Sequence, residues 1–188
     1  NLFYQVPTPN ELFAVLKNRT APFNKEILNY PSNSENYFTK FSKSLNFGVY
    51  FADLAYATSQ GSFEDAVLLF EAVKSLAEDL EIENAIDQII FERLKKSLDN
   101  ANADSLFLIS NETYYNAFSY LQENERQDIL GIIAVGGCDE GLHIMLNLEP
   151  YSENSAVCQP IAVQKLQVDT VLISMYNVQN DWFIDIVT

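Results

Sequence analysis

Three side chains capable of acid–base chemistry lie inside one of the most apolar stretches of the chain. Residues 129–148 read as a helix that is hydrophobic on nearly every side, yet they include Asp139, Glu140 and His143, the single histidine. A helix that is apolar all round belongs in the interior of a domain, and charged groups are costly there unless they are paired. This helix is therefore either the core of the fold with a few satisfied polar groups, or the floor of a binding site.

Two adjacent glycines, Gly136 and Gly137, share one stripe of this helix with Glu140. Helical side chains lean toward the N-terminus, which places the Glu140 carboxylate over the turn that holds the glycines. Each glycine in a helix interior costs about 1 kcal/mol relative to alanine, so the pair indicates a specific use. Two uses fit: close packing against another helix, which is the simpler, or space for a ligand beside the carboxylate.

Asp139 and His143 are four residues apart and can share a hydrogen bond or a metal ion. Glu140 and His143 also match the Glu-x-x-His element of di-iron helix bundles. Such bundles need two of these elements, and the chain has only one histidine. The sequence therefore predicts no metal, no other cofactor and no catalytic residue, and the simplest role for His143 is a local hydrogen bond.

A further carboxylate, Asp53, lies on a second apolar helix with Tyr56 one turn later. The simplest interpretation is a boundary carboxylate satisfied by a neighbouring helix. A sharper hypothesis pairs Asp53 with Glu140 in one pocket, as acid and base or as anchors for a ligand. The candidate ligand-binding residues are then Asp53, Tyr56, Gly136, Gly137, Glu140 and His143.

The elements that position these residues are predicted to be helical throughout, because apolar residues recur at three-and-four spacing along the chain. Connections are short, which favours antiparallel neighbours. We predict one all-α domain over residues 1–188, a bundle of about seven antiparallel helices; a repeat solenoid is the runner-up. The predicted helices cover about 8–17, 34–58, 63–80, 84–98, 102–122 and 125–148, and run from 155 or 160 to past 176. Those over 34–58 and 125–148 are expected to be central and largely buried, with Phe38 on the apolar seam of the first.

The charge of the chain excludes several classes of partner. Its net charge is −15, and after Lys96 it holds only two basic side chains, Arg126 and Lys165. Phosphate backbones and anionic lipid surfaces are repelled by such a surface, so we expect no nucleic-acid binding. We also expect no transmembrane segment, because ionisable groups at the middle of residues 129–148 are costly in a bilayer.

The two cysteines, Cys138 and Cys158, are too few for a disulfide scaffold. Two buried free thiols are the simpler interpretation. A bridge between them stays open if the last two helices form a hairpin near Pro150.

Several stretches of the chain resemble a family of exported, mostly helical proteins of Gram-negative bacteria that are labelled lipoproteins. The stretches that carry this resemblance are PFNKEILN at 22–29, LNFGVYFADLAYAT at 45–58, LAEDLEI at 76–82, DSLFLIS at 104–110 and GGCDEGLHI at 136–144. The resemblance implies an all-helical fold, export to the periplasm or outer membrane, and a lipid anchor upstream of this chain. It brings no established activity. The chain departs from the pattern at Phe51, where glycine is common, and at Cys138, where tryptophan is common.

These observations lead to two hypotheses about function. The first is a non-catalytic exported helical domain that binds a partner protein or small ligand at the cell envelope. The alternative is a metal-binding protein or an enzyme that uses a buried cluster of Asp53, Glu140 and His143.

Overall fold

A computed structural model describes residues 23–85, 88–100 and 102–148, together with Pro9 and Phe13. The described part of the chain contains no strand, and five of its helices have seven or more residues and pack as a bundle. The all-α prediction is therefore confirmed there. Pro9 and Phe13 are helical, whereas the rest of the predicted first helix, the predicted last helix and Cys158 lie outside the described residues.

The five longer helices follow one another with short connections. They are α1 (Lys40–Ser59), α2 (Phe63–Asp79), α3 (Gln88–Asp99), α4 (Ala103–Glu123) and α5 (Gln127–Leu148). Three short 3-10 helices accompany them, at Lys25–Ile27, Pro31–Asn36 and Glu83–Ala85. Helix α1 packs most extensively against α5 and also contacts α2 and α4, so it is the central element, as the sequence predicts.

Helix α1 begins later than the sequence predicts. Its N-cap is Thr39, whose side chain accepts a hydrogen bond from Ser42 N at 3.0 Å, while Ser42 Oγ accepts from Thr39 N at 3.1 Å. This reciprocal capping box fixes the start of the helix. The residues expected to open the helix form the 3-10 helix Pro31–Asn36 instead. The prediction that Phe38 lies on a buried seam was wrong, since Phe38 precedes the helix and is 84% exposed.

Three helices end in the same way, with one residue in the left-handed region. These residues are Gly61 after α1, Glu81 after α2 and Glu125 after α4, with φ of 70°, 57° and 58°. In each case the next residue donates its N–H to a carbonyl five residues earlier, as Ile82 N does to Ala77 O at 2.9 Å. This is the Schellman pattern, which satisfies the last carbonyls of a helix.

Helix α5 is buried against α1. It is long and apolar enough to cross a membrane by length and composition, but 67% of its most apolar window is buried inside the bundle. Buried residues occur around most of its circumference, including Ile129, Ile133, Cys138, Ile144 and Met145. This is the burial expected of a core helix. It also brings Glu140 of α5 beside α1.

Candidate functional site

Glycines set the distance between α1 and α5 at the point where the two helices cross. A Cβ atom added to Gly136 would lie 2.0 Å from Leu45 O, and one added to Gly48 would lie 2.0 Å from Ile133 O. Both clashes are with backbone atoms, so the two helices cross with their backbones in direct contact. A Cβ on Gly137 would come no nearer than 3.4 Å to Gly48 O, an ordinary contact. Close packing thus accounts for Gly136, and a ligand beside Gly137 stays a prediction.

The close crossing brings together the carboxyl groups of Asp53 on α1 and Glu140 on α5. The two groups interact electrostatically and lie within hydrogen-bonding range of each other. Asp53 is fully buried, and Glu140 is partly buried. Asp53 Oδ2 accepts a hydrogen bond from Asn29 N at 3.1 Å, whereas Asp53 Oδ1 and Glu140 Oε1 are buried with no donor. The structure therefore brings the two carboxyls together, and their use as acid and base or as anchors for a ligand stays a prediction.

A single proton shared by the two carboxyls would supply the hydrogen-bond donor that the pair lacks. Two carboxylates are acceptors only, so neither can satisfy the other while both are ionised. Burial raises the pKa of Asp53 well above its ordinary value, and the charge of Glu140 raises it further. Burial also raises the pKa of Glu140, opposed by the nearby His143. Because Asp53 is the deeper group, we assign the proton to Asp53 and the acceptor role to Glu140.

A segment over residues 23–37, here called the strap, covers this pair and is held on α1 by three polar side chains. Tyr50 Oη donates to Tyr30 O at 2.8 Å, Asp53 Oδ2 accepts from Asn29 N, and Tyr56 Oη accepts from Asn24 N at 3.2 Å. The three side chains are three residues apart, so they lie along one side of the helix. Each of the three side chains therefore forms a hydrogen bond with a backbone atom of the strap.

His143 fastens the strap to α5. Its Nε2 lies 3.2 Å from Ile27 O, and Asn147 Nδ2 lies 3.5 Å from its Nδ1. An Nε2–H tautomer, which donates to Ile27 O and accepts at Nδ1, fits both contacts. The side chain is exposed, as is that of Asp139. His143 thus makes a hydrogen bond, but its acceptor belongs to a distant segment and not to its own helix.

Tyr56 is fully buried in an aromatic cluster below the carboxyl pair. Its ring lies 5.8 Å from that of Phe13 and 5.3 Å from that of Phe23, measured between centroids. Burial raises the pKa of its hydroxyl. Tyr56 therefore anchors the strap and also packs against Phe13.

Neither a metal centre nor a reactive thiol is indicated near the pair. Within the described ranges, no group of three or more His, Cys, Asp and Glu side chains is placed to hold a metal ion. Cys138 is a buried free thiol, and burial together with Asp139 raises its pKa to about 11. A thiol with a raised pKa is a poor nucleophile. Cys158, its predicted alternative partner, lies outside the described residues.

The outer side of the strap forms a groove against α2 with a volume of about 180 Å³. Leu28 and Leu69 lie in its floor, and Tyr30 and Leu68 flank it with 62% and 54% of their surfaces exposed. Lys25, Asn29, Pro31 and Asp65 complete the lining. Asn29 thus lines the groove while its backbone N–H binds Asp53 on the inner side.

The strap is the part of the site that the sequence did not reveal. No predicted helix covers residues 21–33, because Pro22 and Pro31 interrupt any helical pattern there. A signal was nevertheless present in Tyr50, Asp53 and Tyr56, three polar groups at regular spacing on an otherwise apolar helix. Such groups require hydrogen-bond partners when buried.

No family model matches the chain, no curated protein matches it, and no solved structure matches it. The resemblance to exported helical lipoproteins therefore stays a hypothesis, and the geometry of the strap, the carboxyl pair and the groove carries the case for function.

Proposed function

We propose that this chain is a non-catalytic helical domain that binds a partner protein at the cell envelope, through the groove between the strap and α2. The observation that carries the proposal is the exposure of Tyr30 and Leu68 on the two sides of one apolar groove. Large apolar side chains that flank a concave surface are typical of binding sites. The location at the envelope rests on the sequence resemblance alone.

The chemistry of the groove favours a peptide segment with one apolar side chain next to a basic one. A volume of about 180 Å³ is sufficient for one apolar side chain. The exposed carboxylates of Glu64 and Glu71 lie one helical turn before and one turn after Leu68. Together with Asp65 they outnumber Lys25, the one cation in the groove lining, and the whole chain has a net charge of −15. The carboxylates therefore favour a basic neighbour by charge complementarity.

The carboxyl pair is better suited to holding the strap than to attacking a substrate. Asp53 is fully buried and already accepts from Asn29 N, and His143 is engaged by Ile27 O. A general acid or base must lie within hydrogen-bond reach of the atom that it serves. The strap occupies that position over the pair, which supports a structural role.

A second candidate function, metal binding or catalysis by Asp53, Glu140 and His143, is favoured by one observation. Asp53 Oδ1 and Glu140 Oε1 are buried oxygens without donors, and a cation could satisfy both. Thermal unfolding with Ca²⁺, Mg²⁺, Mn²⁺ or Zn²⁺, and with a chelator, separates the candidates. We expect equal changes in Tm for the wild type and Glu140→Gln; a cation-induced rise that Glu140→Gln abolishes would support the metal site.

Chemical-shift perturbation with short synthetic peptides tests the groove. One peptide carries Leu beside Lys and the other carries Leu beside Glu. We expect the basic peptide to perturb the amides of Tyr30 and Leu68, and the acidic peptide to perturb neither. Leu68→Ser should abolish the effect, whereas Leu108→Ser, which alters a side chain 63% exposed on α4, should preserve it. Perturbation that is absent, or that is equal in Leu68→Ser, would refute the groove.

A further inference from the structure

We propose that Asp53, Glu140 and the strap form a proton-controlled latch, in which the strap is closed while the two carboxyls share one proton and opens when that proton leaves. This inference does not depend on what the groove binds, because it concerns only the carboxyl pair and the segment that covers it.

The closed state follows from the hydrogen-bond inventory of the pair. Asp53 has one oxygen that accepts from Asn29 N and one without a donor, and Glu140 has a buried oxygen without a donor. A proton on Asp53 that is donated to the Glu140 carboxylate supplies the donor that this pair lacks. The pair then carries one negative charge, which the Asn29 N–H and the nearby His143 side chain stabilise.

The open state follows from the second ionisation. When the proton leaves, two carboxylates face each other in a buried site, where both repulsion and the loss of hydration are costly. Water can relieve both costs only if it reaches the oxygens. The element that must move to admit water is the one with the least packing.

The strap is that element. None of residues 23–39 is buried, whereas all of residues 50–59 on α1 are buried. Segments with little buried apolar surface open locally at a small fraction of the global unfolding free energy. Helices α1 and α5, in contrast, are joined by direct backbone contact at Gly48 and Gly136. The proton on the carboxyl pair thus controls the strap, the least buried of the described elements around the pair.

The other titratable groups around the pair do not provide a substitute for this proton. On α1 the flanking groups are the phenols of Tyr50 and Tyr56, whose pKa values are raised by burial. On α5 they are the exposed Asp139 and His143 and the buried thiol of Cys138, whose pKa is also raised by burial. The charged groups of the strap, Lys25, Glu26 and Glu35, are exposed. From the segment that contains Pro9 and Phe13, the two described residues are apolar.

Amide hydrogen exchange of the full chain, corrected for intrinsic exchange rates, tests the latch. We expect the protection of the Asn29 amide to fall at least about tenfold between pH 5 and pH 8, the change produced by one pKa unit between the closed and open states. In Asp53→Asn the amide can accept from Asn29 N and donate to Glu140 permanently, so protection should not vary with pH. Glu140→Gln removes one charge of the pair and should have the same effect.

Two further variants separate the latch from general loosening of the strap. Tyr50→Phe removes the hydrogen bond to Tyr30 O, so protection should fall at every pH with the pH dependence unchanged. Glu71→Gln alters an exposed carboxylate on α2 and should behave as the wild type does. A wild-type Asn29 amide whose protection does not change with pH would overturn the latch. A pH dependence as large as that of the wild type in both Asp53→Asn and Glu140→Gln would also overturn it.

Discussion

Asp53 on α1 and Glu140 on α5 place their carboxyl groups within hydrogen-bonding range of each other, and each retains a buried oxygen without a donor. The pair lies close to the point where the two helices approach each other through glycine backbones. The strap covers it, and none of the residues of the strap is buried. One shared proton satisfies this geometry, and it links the ionisation of the pair to the position of the strap.

The first prediction concerns the two adjacent glycines of α5. Gly136→Ala should destabilise the protein by about 1–3 kcal/mol or more, because the new Cβ meets Leu45 O and the helix backbones must separate. Gly137→Ala is the matched control. Its Cβ makes an ordinary contact at 3.4 Å, and the gain in helix propensity of up to about 1 kcal/mol should leave stability unchanged or improved. Urea unfolding measures both; equal effects of the two substitutions would contradict the proposed crossing.

The second prediction concerns the pH dependence of stability. The pKa of Asp53 is raised in the folded state, so its contribution is fully present below its unfolded pKa, about 3.9. That contribution is lost as pH rises through the raised folded pKa. Asp53→Asn removes this dependence while it keeps both hydrogen bonds. We expect the variant to be similar to the wild type at pH 4 and, at pH 8, more stable by at least about 1.4 kcal/mol, the equivalent of one pKa unit.

Urea unfolding at the two pH values gives the required comparison for Asp53→Asn. Glu71→Gln, which makes the same kind of change on an exposed site, serves as the control and should follow the wild type. A variant that is less stable than the wild type by the same amount at both pH values would show that Asp53 is ionised in the folded protein.

The third prediction concerns Arg126, which fastens the end of α2. Its Nη2 donates to Leu80 O at 2.6 Å and its Nη1 donates to Glu81 O at 3.0 Å. Hydrogen bonds from a charged donor contribute about 1.5–3 kcal/mol, so Arg126→Met should lower the free energy of unfolding by about that amount. Arg93→Met is the control, since Arg93 pairs with Glu112 at an exposed site and should cost about 0–1 kcal/mol. An equal loss in both variants would be inconsistent with a specific cap.

The fourth prediction concerns the helix ends in the left-handed region. Glu81→Gly and Glu125→Gly should each stabilise the protein by about 0.5–1 kcal/mol, because φ values of 57° and 58° strain a residue with a Cβ. Gly61→Ala places a Cβ at φ of 70° and should destabilise it by about 1–2 kcal/mol. Thermal unfolding of the three single variants measures these effects. A loss of stability in both glutamate variants would show that side-chain contacts outweigh the backbone strain.

The features that the sequence revealed are those set by local spacing. Helical periodicity predicted all-α structure, and the apolar character of the predicted helices over 34–58 and 125–148 identified α1 and α5 as central. The energetic cost of Gly136 pointed to close packing, and Asp53 and Glu140 could be paired because both are charges on apolar helices. Phe63–Asp79 matches the predicted third helix within one residue, since Gly61 ends the preceding helix.

The features that the sequence concealed depend on contacts between distant segments. Asn29 binds Asp53 through a backbone N–H, and any residue type other than proline supplies that group. Ile27 O is likewise a backbone acceptor for His143. The late start of α1 depends on the competition between the Thr39–Ser42 capping box and the apolar pattern that includes Phe38. Periodicity could not settle that competition.

The most direct measurement of the central claim is a titration of the Asp53 and Glu140 side-chain carboxyl groups by ¹³C NMR. We expect the two carboxyl resonances to titrate together, with the last proton leaving above the ordinary range for carboxyl groups. Two independent titrations near 3.9 and 4.3, the values of unperturbed Asp and Glu, would contradict it.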